Sequence, residues 1–270
     1  MAKTYEANDI QVLEGLKAVR LRPGMYIGTT GSRGLHHLLW EIIDNAVDEA
    51  VNGYASNIDV ILHADNSATV IDDGRGIPVG NHDVLKKPGV EVVFTQLHAG
   101  GKFNTNNYSY SGGLHGVGAA AVNALSEWLE VEVAVDGQLY YQRYETFTEN
   151  GDLQVGKPVT PLLIKGKTDR KGTRVRFLPD KRVFPDIHLN FDIVAKRLKE
   201  LAFLNKGIKF TLTDERMDDN NKRVYCFDGG LVDFVRYLNE DKTPLHNDVI
   251  YIEGEKDGIY AQIAIQYTDA

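Results

Sequence analysis

Ser111-Gly-Gly-Leu-His-Gly-Val-Gly-Ala-Ala-Ala-Val-Asn-Ala-Leu-Ser126 is the stretch on which the choice of fold turns. Within it, Gly116-Val-Gly118-Ala-Ala-Ala121 fits the relaxed dinucleotide fingerprint G-x-G-x-x-A. That fingerprint carries meaning only where a β-strand leads into it and it opens the first helix of a βαβ unit. The residues before it, Asn104-Thr-Asn-Asn-Tyr-Ser-Tyr-Ser-Gly112, are polar and show no alternating apolar pattern. A Rossmann oxidoreductase is therefore disfavoured, and residues Gly116 to Ser126 read as an alanine-rich helix with another use for its glycines.

Upstream, Leu35, Leu38, Leu39, Ile42, Ile43, Ala46, Val47 and Ala50 recur at helical spacing, which predicts a long amphipathic helix over Gly34 to Asn52. Ile58 to Ala64 alternates as a strand, and Ala68 to Ile71 reads as its hairpin partner. Val90 to His98 predicts a short helix, and Phe191 to Leu204 a further one. Strands are expected at Leu129–Val135, Leu139–Tyr144, Gly172–Phe177 and Ile208–Leu212. Strands and helices in runs, without βαβ alternation, imply an α+β fold: a mostly antiparallel sheet with helices on one face. Residues 1–14 are polar and read as an arm, 15–220 as the main domain, and 221–270 as the start of a second domain. The polar run Asp214 to Lys222 marks the expected boundary; one helix (Gly230 to Leu238) and a hairpin (Val249 to Tyr267) lie beyond it.

The 270 residues are 43% apolar and 25% charged, enough for a substantial core. No apolar run reaches the ~18 residues that a membrane span needs. The N-terminus lacks an apolar signal core, so a cytoplasmic location is expected. A single cysteine, Cys226, excludes an internal disulfide and a cysteine-rich metal cage. The net charge of −8 argues against this chain gripping nucleic acid over a broad face by itself.

Three elements carry chemistry. On the long helix, Glu41, Asn45, Asp48 and Glu49 fall on one stripe. The pattern admits a solvated face, but carboxylates without interleaved cations destabilise a helix, and carboxylate and amide oxygens suit Mg²⁺. The second element is Asp72-Asp-Gly-Arg-Gly-Ile-Pro78 at a strand end. It is a turn by composition, yet a carboxylate there could accept from an exocyclic amine such as that of adenine. The third is Lys102 with the glycine stretch, whose backbone amides at a helix start suit phosphate. No Walker A pattern occurs.

In order, Glu41-Ile-Ile-Asp-Asn45, Asp72-Asp-Gly-Arg-Gly76, Ser111-Gly-Gly-Leu-His-Gly-Val-Gly118 and Lys171-Gly-Thr173 resemble the four blocks of an ATPase superfamily. Its members are type IIA topoisomerases, a heat-shock chaperone, the mismatch-repair protein MutL and sensor histidine kinases. Arg22-Pro-Gly-Met-Tyr-Ile-Gly28, Gly34-Leu-His-His37 and Leu97-His-Ala-Gly-Gly-Lys-Phe103 narrow the resemblance to bacterial type IIA topoisomerase B subunits, of DNA gyrase or topoisomerase IV alike. The resemblance implies ATP and Mg²⁺ as ligands, with Glu41 as general base and Asn45 as metal ligand. It makes Asp72 the acceptor of the adenine amine, lines the adenine pocket with Gly76, Ile77 and Pro78, and sets Thr173 near Asp72 through water. Lys102, Tyr108, Gly113, Leu114, His115, Gly116, Val117, Gly118 and Ala119 would form a lid over the phosphates. Asp48, Glu49 and Arg75 complete the nucleotide set, and Tyr5 and Ile10 in the arm would reach the partner subunit's site. It further implies an ATP-bound homodimer, an A subunit, double-stranded DNA passed by the whole enzyme, and coumarin-type inhibitors. Tyr141 stands where some members carry a drug-stacking arginine. The family's catalytic lysine falls beyond Ala270, so weak hydrolysis is expected of this chain.

Overall fold

The computed structural model describes residues 15–99, 116–217 and 221–269. Two short helices, α1 (Leu16–Leu21) and α2 (Gly24–Ile27), lead into the long helix α3 (Ser32–Val51). Strands β1 (Asn57–Leu62) and β2 (Ala68–Asp72) follow, then α4 (Gly89–Thr95) and α5 (Gly118–Ala124). Next come β3 (Ser126–Val135), β4 (Gln138–Glu149), β5 (Asp152–Pro158), β6 (Leu163–Lys167) and β7 (Gly172–Pro179). Helix α6 (Phe191–Leu204), β8 (Lys209–Asp214), β9 (Asn221–Tyr225), α7 (Leu231–Leu238) and the hairpin β10 (Ile250–Lys256) and β11 (Ile259–Ile265) complete the order.

Nine strands make one sheet in the order β5-β4-β3-β7-β2-β1-β8-β9, with β6 also on β4. Among the described residues only the β1–β8 pair is parallel. A Rossmann unit needs parallel strands flanking its helix, whereas β3, which follows α5, pairs antiparallel with β4 and β7. The dinucleotide reading is thus excluded by topology. The mostly antiparallel sheet expected from the sequence is present.

Period-2 alternation decides which face is covered. Ile58, Val60 and Leu62 of β1, Leu129, Val131 and Val133 of β3, Val175 and Phe177 of β7, and Phe210 and Leu212 of β8 share one core with the buried residues of α3, α5 and α6. The opposite face is polar and cross-linked: Arg143 pairs with Glu130 at 2.6 Å, and Lys165 with Glu132 at 3.0 Å. Two layers result, helices over sheet. Asp136-Gly137 and Asn150-Gly151, all at positive φ, make the tight turns that set the register of β3–β4 and β4–β5.

Strand β9 pairs with β8 from Phe210↔Tyr225 to Asp214↔Asn221. The large sheet therefore continues past residue 220, where the sequence reading places a boundary. Beyond β9, Phe203 of α6 stacks on Phe227 at 3.7 Å and on Phe234 of α7 at 5.1 Å, which joins α7 to the sandwich.

Candidate nucleotide site

Helix α3 supplies one wall. Its apolar stripe is buried, which fixes the rotation of the helix and aims the acidic stripe at the neighbouring elements. Asp48 and Glu49 are only 4% and 9% exposed, so a solvated face is ruled out for them. Glu41 and Asn45 are half-buried, one turn apart. His37, a turn earlier, sets Nε2 at 3.1 Å from Glu41 Oε1. Gly118, the first residue of α5, packs its Cα directly on the Glu41 carboxylate. Asp44, on the flank of the stripe, faces Arg197 at 3.5 Å.

The loop leaving β2 forms the other end. Asp72 is 9% exposed, and its Oδ1 accepts from the backbone N–H of Gly74 at 2.9 Å and of Thr173 at 3.3 Å. Burial pushes its carboxyl up to about 6; these two donors pull the other way, and the nearby charges of Glu49 and Asp73 add to the rise. A carboxylate held in this way retains acceptor capacity for a ligand's N–H. Asp73 has the opposite fate. Its two oxygens accept from Ser56 N, Asn57 N and Asn57 Nδ2 at 2.6–3.0 Å. Burial opposes ionisation there, but these donors hold the carboxyl below the usual range. Asp73 ties the loop to the start of β1, whereas Asp72 makes only the two backbone contacts to Gly74 and Thr173 among the hydrogen bonds given above.

Close backbone approach explains the glycines. A Cβ on Gly74 would lie 2.8 Å from Asp72 Oδ1 and 3.0 Å from the Glu49 side chain. Gly76 has φ +84°, and a Cβ there would lie 2.9 Å from Val133. Ile77 N donates to Thr173 Oγ1 at 3.3 Å, which fastens the loop to β7.

Glu49 joins the two ends. Its carboxylate accepts from Arg75 N at 3.0 Å, Nε at 3.1 Å and Nη2 at 2.7 Å. The Arg75 guanidinium lies 3.6 Å from the centroid of the Tyr54 ring. Glu41 and Glu49 are eight residues apart on α3, or ~12 Å along the axis. The site thus has an Asp72–Arg75 end and a Glu41–Asn45 end, about two turns of α3 apart.

The structure brings together, from the sequence-expected set, Glu41, Asn45, Asp48 and Glu49 on α3, Asp72, Arg75, Gly76, Ile77 and Pro78 on the β2 loop, Thr173 on β7, and Gly116, Val117, Gly118 and Ala119 at the start of α5. Tyr5, Ile10, Lys102, Tyr108, Gly113, Leu114 and His115 lie outside the described residues. His37 and Tyr54 are absent from the sequence-expected set. The signal for His37 is its place four residues before Glu41; Tyr54 follows the helix end and has no local signal. Tyr141 sits on the polar face, donating to Glu130 Oε1 at 2.9 Å beneath the Lys165 ammonium. Among the described residues no three His, Cys, Asp or Glu side chains are grouped to hold a metal. Asn45, one turn after Glu41 on α3, carries a hard amide oxygen of the kind Mg²⁺ prefers, and that ion ordinarily takes its other ligands from water and phosphate.

The sandwich and its site define a class of protein. The chain belongs to the histidine kinase-, DNA gyrase B- and HSP90-like ATPase family, whose profile matches residues 30–183. Among its relatives is the type 2 topoisomerase B subunit of Aquifex aeolicus, 55% identical over 97% of this chain and 32% of that protein. It is 53% identical to the DNA gyrase B subunit of Clostridium acetobutylicum, over 98% of this chain and 40% of the relative. Against the DNA topoisomerase 4 B subunit of Enterococcus faecalis it is again 53% identical, over 98% of this chain and 37% of the relative. The chain thus spans only about a third to two-fifths of these proteins' lengths. The crystal structure of the 43K ATPase domain of Thermus thermophilus gyrase B, in complex with an aminocoumarin, superimposes with a TM-score of 0.81 at 37% identity, covering 94% of this chain and 62% of that one.

Proposed function

We propose that this chain binds and hydrolyses Mg-ATP as the nucleotide-operated region of a bacterial type IIA topoisomerase B subunit. The observation that carries the reading is the buried Asp72 carboxylate, held by two backbone donors at one end of α3, with Glu41 and Asn45 farther along the same helix. In this reading Asp72 accepts the adenine amine, and Gly76, Ile77, Pro78 and Thr173 bound the base. Glu41 takes the proton of the attacking water, and His37 orients the carboxylate that does so. Asn45 would hold Mg²⁺, which neutralises phosphate charge when bound. Phosphoryl transfer depends mainly on positioning and charge stabilisation, so Gly116 to Ala119, with Lys102, Tyr108 and Gly113 to His115, act as the covering segment.

At the level of the whole protein, the proposal is an ATP-closed homodimer clamp, with Tyr5 and Ile10 of the arm in the partner's site. It works in the cytoplasm with an A subunit on double-stranded DNA. Gyrase and topoisomerase IV relatives match equally well, so supercoiling and decatenation share the proposal. An aminocoumarin is a proposed inhibitor, on the strength of the structural relative. The main domain is proposed to begin at residue 15 after the arm, and the second domain to include α7 and the β10–β11 hairpin. Calorimetric titration with Mg-ATP and Mg-GTP tests the site: ATP binding with GTP excluded is expected, and equal binding of both would sink the role of Asp72.

A further inference from the structure

Tyr54 lies two residues past the Asn52 cap of α3 and belongs to none of the family blocks quoted above. Its ring covers the Arg75 guanidinium at 3.6 Å, while Glu49 engages the same group edge-on through Nε and Nη2. The ion pair is partly open to water, with the Arg75 side chain 34% exposed. A pair in that position contributes little when solvent competes for it and when a long side chain must be ordered. A ring on the guanidinium face lessens both penalties: it covers one face against water and restricts the rotamers of Arg75.

The consequence reaches the ligand end. Arg75 stands between Gly74 and Gly76, neither of which has a side chain to anchor the loop. Gly74 supplies the 2.9 Å donor to Asp72. Holding Arg75 therefore holds the backbone that orients the Asp72 carboxylate. We propose that Tyr54 is a positioning residue: stacked on Arg75, it locks the Arg75–Glu49 pair and sets affinity for the base of a bound nucleotide. This rests on the nucleotide reading given above.

Calorimetry of Mg-ATP on the full chain tests it with four variants: Tyr54→Leu, Tyr54→Phe, Arg75→Gln and the Tyr54→Leu/Arg75→Gln pair. Tyr54 is 41% exposed, so its replacement leaves the core intact. Tyr54→Leu is expected to weaken ATP binding three- to tenfold, with Tyr54→Phe within twofold of the parent. In the Arg75→Gln background Tyr54→Leu should add nothing, because its route to the site is already cut. A Tyr54→Leu chain that binds like the parent overturns the proposal. So does an equal loss in both backgrounds, which marks a general structural effect. If the parent itself fails to bind ATP, both the nucleotide reading and this inference fall.

Discussion

Gly118 and Glu41 are packed so tightly that a Cβ on residue 118 would take the space of the Glu41 carboxylate. The contact joins the start of α5 to the middle of α3, beside the Glu41–Asn45 end of the proposed site. A Gly118→Ala chain must push Glu41 out of position or displace α5. ATP turnover is expected to fall by on the order of 10²-fold, the scale on which a small misplacement of a catalytic group acts. The check is steady-state hydrolysis beside a thermal melt. Unchanged turnover would show that Glu41 does not act from where it lies.

Glu41 and His37 separate chemistry from orientation. Glu41→Ala removes the proposed base, and turnover should drop by ~10²–10⁴ while ATP affinity stays within a few-fold. His37→Ala leaves the carboxylate but removes the side chain 3.1 Å from it, so a smaller loss, on the order of tenfold, is expected. Single-turnover hydrolysis and ATP titration of both variants decide this. Equal losses from the two would make His37 a direct participant, and no loss from Glu41→Ala would reduce the protein to a nucleotide sensor.

Legibility in the sequence follows burial. Helix α3 is readable because eight apolar residues repeat at helical spacing, and β1 and β2 because one face of each is apolar. Strand β6 is invisible since all five of its residues are exposed, leaving no apolar face to alternate. Strand β5 carries Gly156 and ends in Pro158, both poor strand residues, and its one local signal is the Asn150-Gly151 turn ahead of it. The polar run after β8 reads as a domain boundary, but its flanks pair as the β8–β9 hairpin: β9 is a short edge strand with only Val224 and Tyr225 apolar, too little to show as an alternating pattern. At the proposed site, residue types point to Asp72 and Glu41, but nothing local tells which of Asp72 and Asp73 is tied up by the fold. That choice is made by Ser56 and Asn57, some sixteen residues away in the chain, which occupy Asp73.

Asn123 is a structural clamp whose loss should register as stability. Fully buried on α5, it donates from Nδ2 to Phe94 O of α4 at 2.9 Å and to Gly156 O of β5 at 2.8 Å. Asn123→Ala deletes both bonds and strands two buried carbonyls, at a cost of about 2–4 kcal/mol. In a chain of this size that corresponds to a melting temperature lower by roughly 5–12 °C. A melt within 2 °C of the parent, ~1 kcal/mol or less, would mean that water replaces the amide in the core.

Asp72 is the residue at which ligand affinity and stability should move in opposite directions. Its folded carboxyl is raised to about 6 from the ordinary 3.8. Between those values the folded chain holds more protons than the unfolded one, so stability falls as pH rises through the window and stays reduced above it. Ionised and buried, Asp72 costs up to about 3 kcal/mol at neutral pH. Asparagine keeps the shape and an acceptor for Gly74 N–H but carries no charge. The apo Asp72→Asn chain should therefore melt higher than the parent at pH 7.5, with the gap closing as pH falls from 6 toward 4. ATP binding should weaken at least tenfold, as expected for loss of a charge-assisted hydrogen bond worth ~1.5–3 kcal/mol. Melts across pH 4–8 together with calorimetry at pH 7.5 make the test. A variant less stable than the parent at pH 7.5, or a gap that ignores pH, would mean that Asp72 is solvated in the free protein and that its burial is not what tunes the site.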